Sequence, residues 1–161
     1  MIRPARPSDV AVLLELIREL AEYERAAEEV EIDLTMLERA LFGPEPSAFA
    51  RVATTPGDLV VGMALYYRSF STWTGLPGIY LEDLYVRPSH RGLGLGKALL
   101  ACLASTAVEE GCARLEWSVL DWNEPAIAFY RSIGAVPTDE WTRYRLAGPA
   151  LGDFAAKHAT Q

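Results

Sequence analysis

The sequence lacks the marks of a membrane-spanning, secreted or nucleic-acid-binding protein. No apolar run approaches the roughly 18 residues needed to cross a bilayer, so no membrane partner is expected. The N-terminal stretch Met1-Ile2-Arg3-Pro4-Ala5 passes into helix-like sequence without the apolar centre of a secretion signal, and the expectation is a cytoplasmic protein. Cysteine is scarce. Cys102 and Cys112, ten residues apart, match neither a disulfide framework nor a metal-ligand spacing, and no metal is expected. Positive charge is also in short supply: 15 Lys and Arg stand against 22 Asp and Glu, a net charge of -7. A phosphate backbone needs a basic footprint, so nucleic acid is excluded as a partner, and a cationic ligand would be drawn in instead.

What is present suits one domain. A chain of 161 residues, half of them apolar, is long enough to bury a core without staples. Ile2 to Ala5 reads as a short strand. Ser8 then stands as N-cap of a helix with apolar Val10, Leu13, Leu14, Ile17 and Leu20 on one face. An acidic patch follows to Glu31, for which a solvated helix end is the plain reading. Asp33 caps a second helix closed by Gly43-Pro44. Ala48 to Thr54 and Asp58 to Arg68 form a hairpin, and Ser69 to Gly78 is an aromatic-rich loop. Tyr80 to Val86 is a strand. Gly94 to Glu110 is a helix burying Leu95, Leu99, Leu100, Leu103, Ala107 and Val108, and Leu115 to Leu120 is a strand. Asn123 caps a short helix with Pro125 in its first turn and Gly134 past its end. A last strand, Thr142 to Leu146, precedes a polar tail, 147–161, prone to fraying. This order predicts an α/β fold in one domain spanning 1–161, a mixed sheet with helices on both faces.

Two features carry chemistry. In the strand, Glu82 and Asp83 are adjacent, and neighbouring strand residues point to opposite faces unless the strand bulges. After it, Gly92, Gly94 and Gly96 open a helix. Such a start presents unpaired N–H groups and a positive dipole end with no side chains in the way, a site for a phosphate or pyrophosphate. A dinucleotide fingerprint would need glycine at Lys97 or Leu99, and a P-loop would need Gly at Arg91 and Ser or Thr at Ala98. Both fail. A loop-to-helix junction that uses glycine for close packing stays open as the alternative.

Arg91-Gly92-Leu93-Gly94-Leu95-Gly96 resembles the R-x-x-G-x-G pattern of the GNAT superfamily of N-acetyltransferases. The likeness continues through Ile2 to Ala5, Leu20 to Glu24, Phe70 to Gly75, Tyr80 to Val86, Trp122 to Pro125, Phe129-Tyr130-Arg131 and Gly134-Ala135. These segments are similar to the diamine branch, the spermidine/spermine and thialysine acetyltransferases, over essentially the whole chain to Leu146. The resemblance implies a GNAT fold with a mostly antiparallel sheet, acetyl-CoA as co-substrate and a homodimer. It implies cofactor contacts from the backbone of Leu84, Tyr85 and Val86, from Arg91 to Lys97, and from Asn123, Ala126, Tyr130 and Ile133. It implies an amine site at Tyr23, Glu24, Glu82, Asp83, Glu116, Trp117 and Ser118. Family members carry one more residue near Asp139-Glu140-Trp141, so no acid is carried over from that loop.

Acetyl transfer to an amine needs a neutral nitrogen, and lysine-like amines titrate near 10.4, so only about one in a thousand is neutral at pH 7. Glu82 is the candidate base, directly or through a water, with Asp83 sharing the work or holding a second ammonium. Tyr130 is the candidate acid toward the departing sulfur, a role implied by the resemblance. A lone helix tyrosine otherwise reads as core. The expected function is acetyl transfer to a small basic amine, a polyamine or lysine-like amino acid. Acetylation of a protein N-terminus or lysine, and a non-catalytic acyl-CoA-binding module, are the alternatives.

Overall fold

The computed structural model describes residues 1–138 and 142–158 and divides into two compact units, Met1–Leu120 and Asp121–Gln161. The acids and the tryptophan of Asp139-Glu140-Trp141 lie outside the described residues.

The first unit is built on a five-stranded sheet in the order β1-β2-β3-β4-β5, with β1 Ile2–Pro4, β2 Phe49–Thr54, β3 Val60–Ser71, β4 Leu76–Val86 and β5 Leu115–Trp117. The first four strands pair antiparallel and β5 joins β4 in parallel, the mixed, mostly antiparallel sheet the sequence predicts. Helices α1, Val10–Tyr23, and α2, Leu34–Phe42, pack with Val52, Val60, Met63, Leu65 and Tyr85 in one apolar cluster. Leu13 and Leu16 of α1 are fully buried, each worth about 1.5–3 kcal/mol of transfer free energy. Helix α3, Leu95–Glu109, covers the other face, where Arg51 of β2 reaches Thr106 Oγ1 at 3.5 Å.

Several local expectations shift. Ser8 does not cap α1: a 3₁₀ turn, Pro7–Asp9, precedes the helix, and Asp9 occupies the N-cap position. The Asp9 carboxylate is claimed by Arg3 at 2.7 Å and by the N–H of Arg6 at 2.7 Å. Asp33 does cap α2, accepting from Met36 N–H at 2.8 Å. The predicted loop from Ser69 is mostly strand, because β3 and β4 stay in register from Ser69↔Gly78 to Ser71↔Leu76. Strand β5 stops at Trp117 instead of Leu120. Val108 is 80% exposed; the buried stripe of α3 is Leu99, Leu100, Leu103, Thr106 and Ala107.

The second unit holds α4, Glu124–Ser132, and α5, Gly148–His158. Among the described residues the predicted strand at Thr142 to Leu146 is absent, since 142–147 join no ladder and lack the paired backbone groups a strand needs. The tail predicted to fray is helical over 148–158, with Pro149 suited to its first turn.

Candidate active site

The register of β4 settles how two adjacent acids sit in one strand. Asp83 pairs with Leu65 while Leu81 pairs with Tyr66, so Glu82 faces no residue and forms a β-bulge. Partners across a ladder share a face. Asp83 therefore lies with Leu65, Met63 and Tyr85 on the α1 side, whereas Leu81 lies with Tyr66 on the α3 side. The extra residue breaks the alternation of a regular strand, and the charge of Glu82 acts on Asp83. Burial pushes the Asp83 carboxyl up to about 6, and the charges of Glu82 and Glu24 push in the same direction. Glu24 is itself raised by burial. Three carboxylates thus share one neighbourhood, a site that favours cations.

Glu24 is delivered by the end of α1. Arg25 takes a left-handed conformation, φ 62°, and Ala26 N–H reaches back to Ala21 O at 2.8 Å. That turn stops the helix directly after Tyr23 and Glu24 at a conformational cost of about 1–2 kcal/mol for a non-glycine residue. Along the same face, Tyr67 and Tyr80 stack at 5.2 Å, and Tyr80 Oη lies 2.7 Å from Ser118 Oγ. Glu116 is level with Tyr80 and pairs with Arg114 at 2.8 Å. Trp117 is level with Leu81, which places it on the α3 side, away from the acids.

The far half of β4 leaves an edge open within the first unit. Pairing with β5 covers only Ile79, Tyr80 and Leu81. Arg87 N–H bonds Val61 O at 2.9 Å, so in the two-residue alternation Tyr85 and Asp83 also address β3. Leu84 and Val86 turn their backbone groups to the opposite edge. There Val86 O accepts from Arg91 Nε at 2.9 Å.

Beyond that edge lies the glycine loop. Gly92 and Gly94 have φ of 77° and 75°, the left-handed region that favours glycine, with Gly94 at the N-cap of α3. Gly96 is helical, and a Cβ there would meet no atom within 4 Å, so the space is open to a ligand. The first bond of the helix runs from Ala98 N–H to Gly94 O at 2.9 Å, which leaves the amides of Leu95, Gly96 and Lys97 pointing out of the helix start. Lys97 puts a cation at the positive end of the helix dipole, a placement that an anion would make favourable. The loop fits a phosphate group. Leu93 is 70% exposed at its crest.

Asn123, Ala126, Tyr130 and Ile133 form a group of their own in the second unit. Asn123 is buried and its Oδ1 accepts from Ala126 N–H at 3.4 Å, capping α4 as predicted. Ala126, Tyr130 and Ile133, spaced four and three apart, share one helix face. The Tyr130 ring lies 5.4 Å from that of Phe129.

The sequence reading missed a brace under the site. Arg87 holds Glu19 at 2.8 Å and Glu15 at 3.0 Å, and burial, followed by the Glu19 charge, pushes the Tyr85 phenol up. The i, i+4 carboxylates Glu15 and Glu19 on α1 were the available signal. Among the described residues no helix is long and apolar enough to cross a membrane and no group of side chains could hold a metal.

Residues 12–135 match the Acetyltransferase (GNAT) family. The chain is 41% identical to thialysine N-epsilon-acetyltransferase of Bos taurus over 98% of both chains. It is 34% identical to spermidine/spermine N(1)-acetyltransferase-like protein 1 of Homo sapiens, over 96% of this chain and 23% of that one. An integron cassette protein from the mobile metagenome of V. cholerae has the same fold, with a TM-score of 0.80 at 29% identity over 96% of each chain. With a family match across residues 12–135 and 41% identity over 98% of the Bos taurus enzyme, this chain belongs to the GNAT family of acetyltransferases.

Proposed function

We propose that this acetyltransferase moves an acetyl group from acetyl-CoA to a primary amine of a small basic substrate, a polyamine or a lysine-like amino acid. The observation that carries the proposal is the bulge at Glu82, beside which Asp83 feels the charges of both Glu82 and Glu24. Relatives named for thialysine and for spermidine and spermine support it. The family match runs from the first unit into the second, as far as residue 135.

When bound, acetyl-CoA supplies an acyl group activated as a thioester. The amides of 92–97 and the side chain of Lys97 hold its pyrophosphate, while Arg91 enters through its peptide, its guanidinium being turned to Tyr23 and Tyr85. The outward backbone groups of Leu84 and Val86 pair with its arm as a strand would. Glu24 and Glu82 draw the ammonium groups of the amine, with Tyr23, Tyr80 and Ser118 along its length. The sequence points to Glu82 as the base, with Asp83 sharing the work or holding a second ammonium. The raised proton affinity of Asp83 makes its carboxylate the stronger claimant, because a base titrating near 6 accepts a proton more readily than an ordinary carboxylate. Tyr130 Oη donates its proton to the departing sulfur, and Asn123, Ala126 and Ile133 line the cofactor side of α4.

A homodimer and a cytoplasmic setting belong to the same reading. Tyr144 is 92% exposed, and Leu146, Leu151 and Phe154 also present apolar surface, which suits a second copy. The thiols of Cys102 and Cys112 are free, which suits a reducing interior.

The test mixes purified protein with acetyl-CoA and lysine, thialysine, spermidine or spermine and follows free thiol. Release with at least one amine is expected; none with any of them would overturn the proposal. Asp83→Asn should lower turnover most at low pH, whereas Glu82→Gln should raise the amine KM more than it lowers kcat. The reverse pattern would return the base to Glu82.

A further inference from the structure

Arg91 stands where the anion-binding loop meets the end of α1, and its side chain is turned toward α1. Its guanidinium carbon lies 5.1 Å from the centre of the Tyr23 ring and 5.4 Å from that of Tyr85. Both are within the range of a cation–π contact. Its Nε donates to Val86 O at 2.9 Å, on the open edge of β4. One side chain thus touches the last residue of α1, the core face of β4, the β4 backbone and, through its own peptide, the glycine loop.

Tyr23 is followed directly by Glu24, whose charge is felt by Asp83. The position of Tyr23 therefore sets the position of one wall of the acid cluster. The rest of α1 is anchored independently, since Arg87 grips Glu15 and Glu19 one and two turns earlier. Beyond Glu19 the helix end is tied to β4 by Arg91.

We propose that Arg91 is a positioning residue that couples the two substrate sites, so that cofactor bound at the glycine loop tightens the binding of the amine. The inference rests on the reading of the loop as the cofactor site and of the acids as the amine site. A pyrophosphate at residues 92–97 orders the peptide that carries Arg91. The planar guanidinium, stacked over two rings, passes that order to Tyr23 and Glu24. Coupling of this kind is reciprocal, so amine must tighten cofactor by the same factor. Lysine at 91 would keep the charge and lose the planar stack.

The experiment uses the whole chain and CoA, which binds without reacting. Calorimetry measures the Kd of CoA alone and with a saturating concentration of whichever of lysine, thialysine or spermidine the enzyme turns over best. In the wild type the amine should tighten CoA roughly five-fold or more. Arg91→Gln should abolish that factor, Arg91→Lys should reduce it, and Tyr23→Leu should abolish it from the opposite side of the contact. Tyr23→Phe, which keeps the ring face, should retain it. Arg91 and Tyr23 are exposed, and a melting curve for each variant verifies folding. The proposal is overturned if the wild type shows no coupling. It is overturned equally if Arg91→Gln weakens CoA alone while the coupling factor persists, since Arg91 would then be a cofactor ligand and nothing more. Failure of the parent reading looks different: no amine releases thiol from acetyl-CoA with the wild-type enzyme.

Discussion

The two units are held together by different physics. In residues 1–120 the sheet is covered on both faces, and Leu13, Leu16, Val52, Met63, Ile79, Leu81, Leu99 and Leu103 are almost wholly removed from water. Among the described residues from 121 to 157, Asn123 alone is buried. Helix α4 is specified locally, by the Asn123 cap, Pro125 in the first turn and Gly134 in a left-handed conformation at its end. The acids and the glycine loop therefore inherit their positions from a packed core, whereas Tyr130 inherits its position from a cap and a short helix. Truncating a core residue of the first unit should appear as lost stability, and removing the Tyr130 hydroxyl in the second as lost turnover.

The largest expected effect tests that division. Tyr130→Phe should slow turnover by about 10² to 10⁴, the usual worth of a general acid, with an unchanged melting temperature; an unchanged rate would mean the thiolate leaves unaided. Leu16→Ala should cost about 2–5 kcal/mol in urea unfolding. Val136→Ala, at a position 80% exposed in the second unit, should fall within about 0.5 kcal/mol. Equal costs at the two sites would remove the contrast between the units.

Asp83 gives a test with a definite sign. Its folded pKa, about 6, lies above the model-peptide carboxylate value near 3.9. Between those values the native state holds more protons than the unfolded state, so this group's contribution to stability falls as pH rises toward 6. Asp83→Asn should therefore raise the melting temperature by about 2–4 °C at pH 7.5, equivalent to roughly 1 kcal/mol, and the gain should shrink on acidification to pH 4. A gain that grows on acidification would reverse the sign and show Asp83 to be a stabilised anion. Smallest is the cap of α4: Asn123→Ala should cost about 1 kcal/mol, read as lost helical circular dichroism before any loss of the first unit's core.

Much of this was legible because it is local. Asp33 and Asn123 as caps, Gly134 as a helix stop, and the spacing of Leu13, Leu14 and Leu20 depend on neighbours a turn away. Ser8 misled because the carboxylate nearest the helix start was taken by Arg3, which lies six residues from Asp9 and on another element. The strand expected at 142–146 has a suitable alternation of side chains, but a strand exists only where a ladder accepts it.

The sequence alone determined that a glycine-rich helix start follows a strand carrying two adjacent acids, and that both sit in an α/β chain with acidic charge to spare. Those facts follow from residue type and spacing. Tertiary structure decided that Glu82 bulges, that Asp83 is half-buried within reach of the Glu24 charge, and that Arg91 lies over Tyr23 and Tyr85. Each depends on which residue of β3 faces which residue of β4 and on where α1 ends, and a register shift of one residue would send Asp83 to the other face of the sheet.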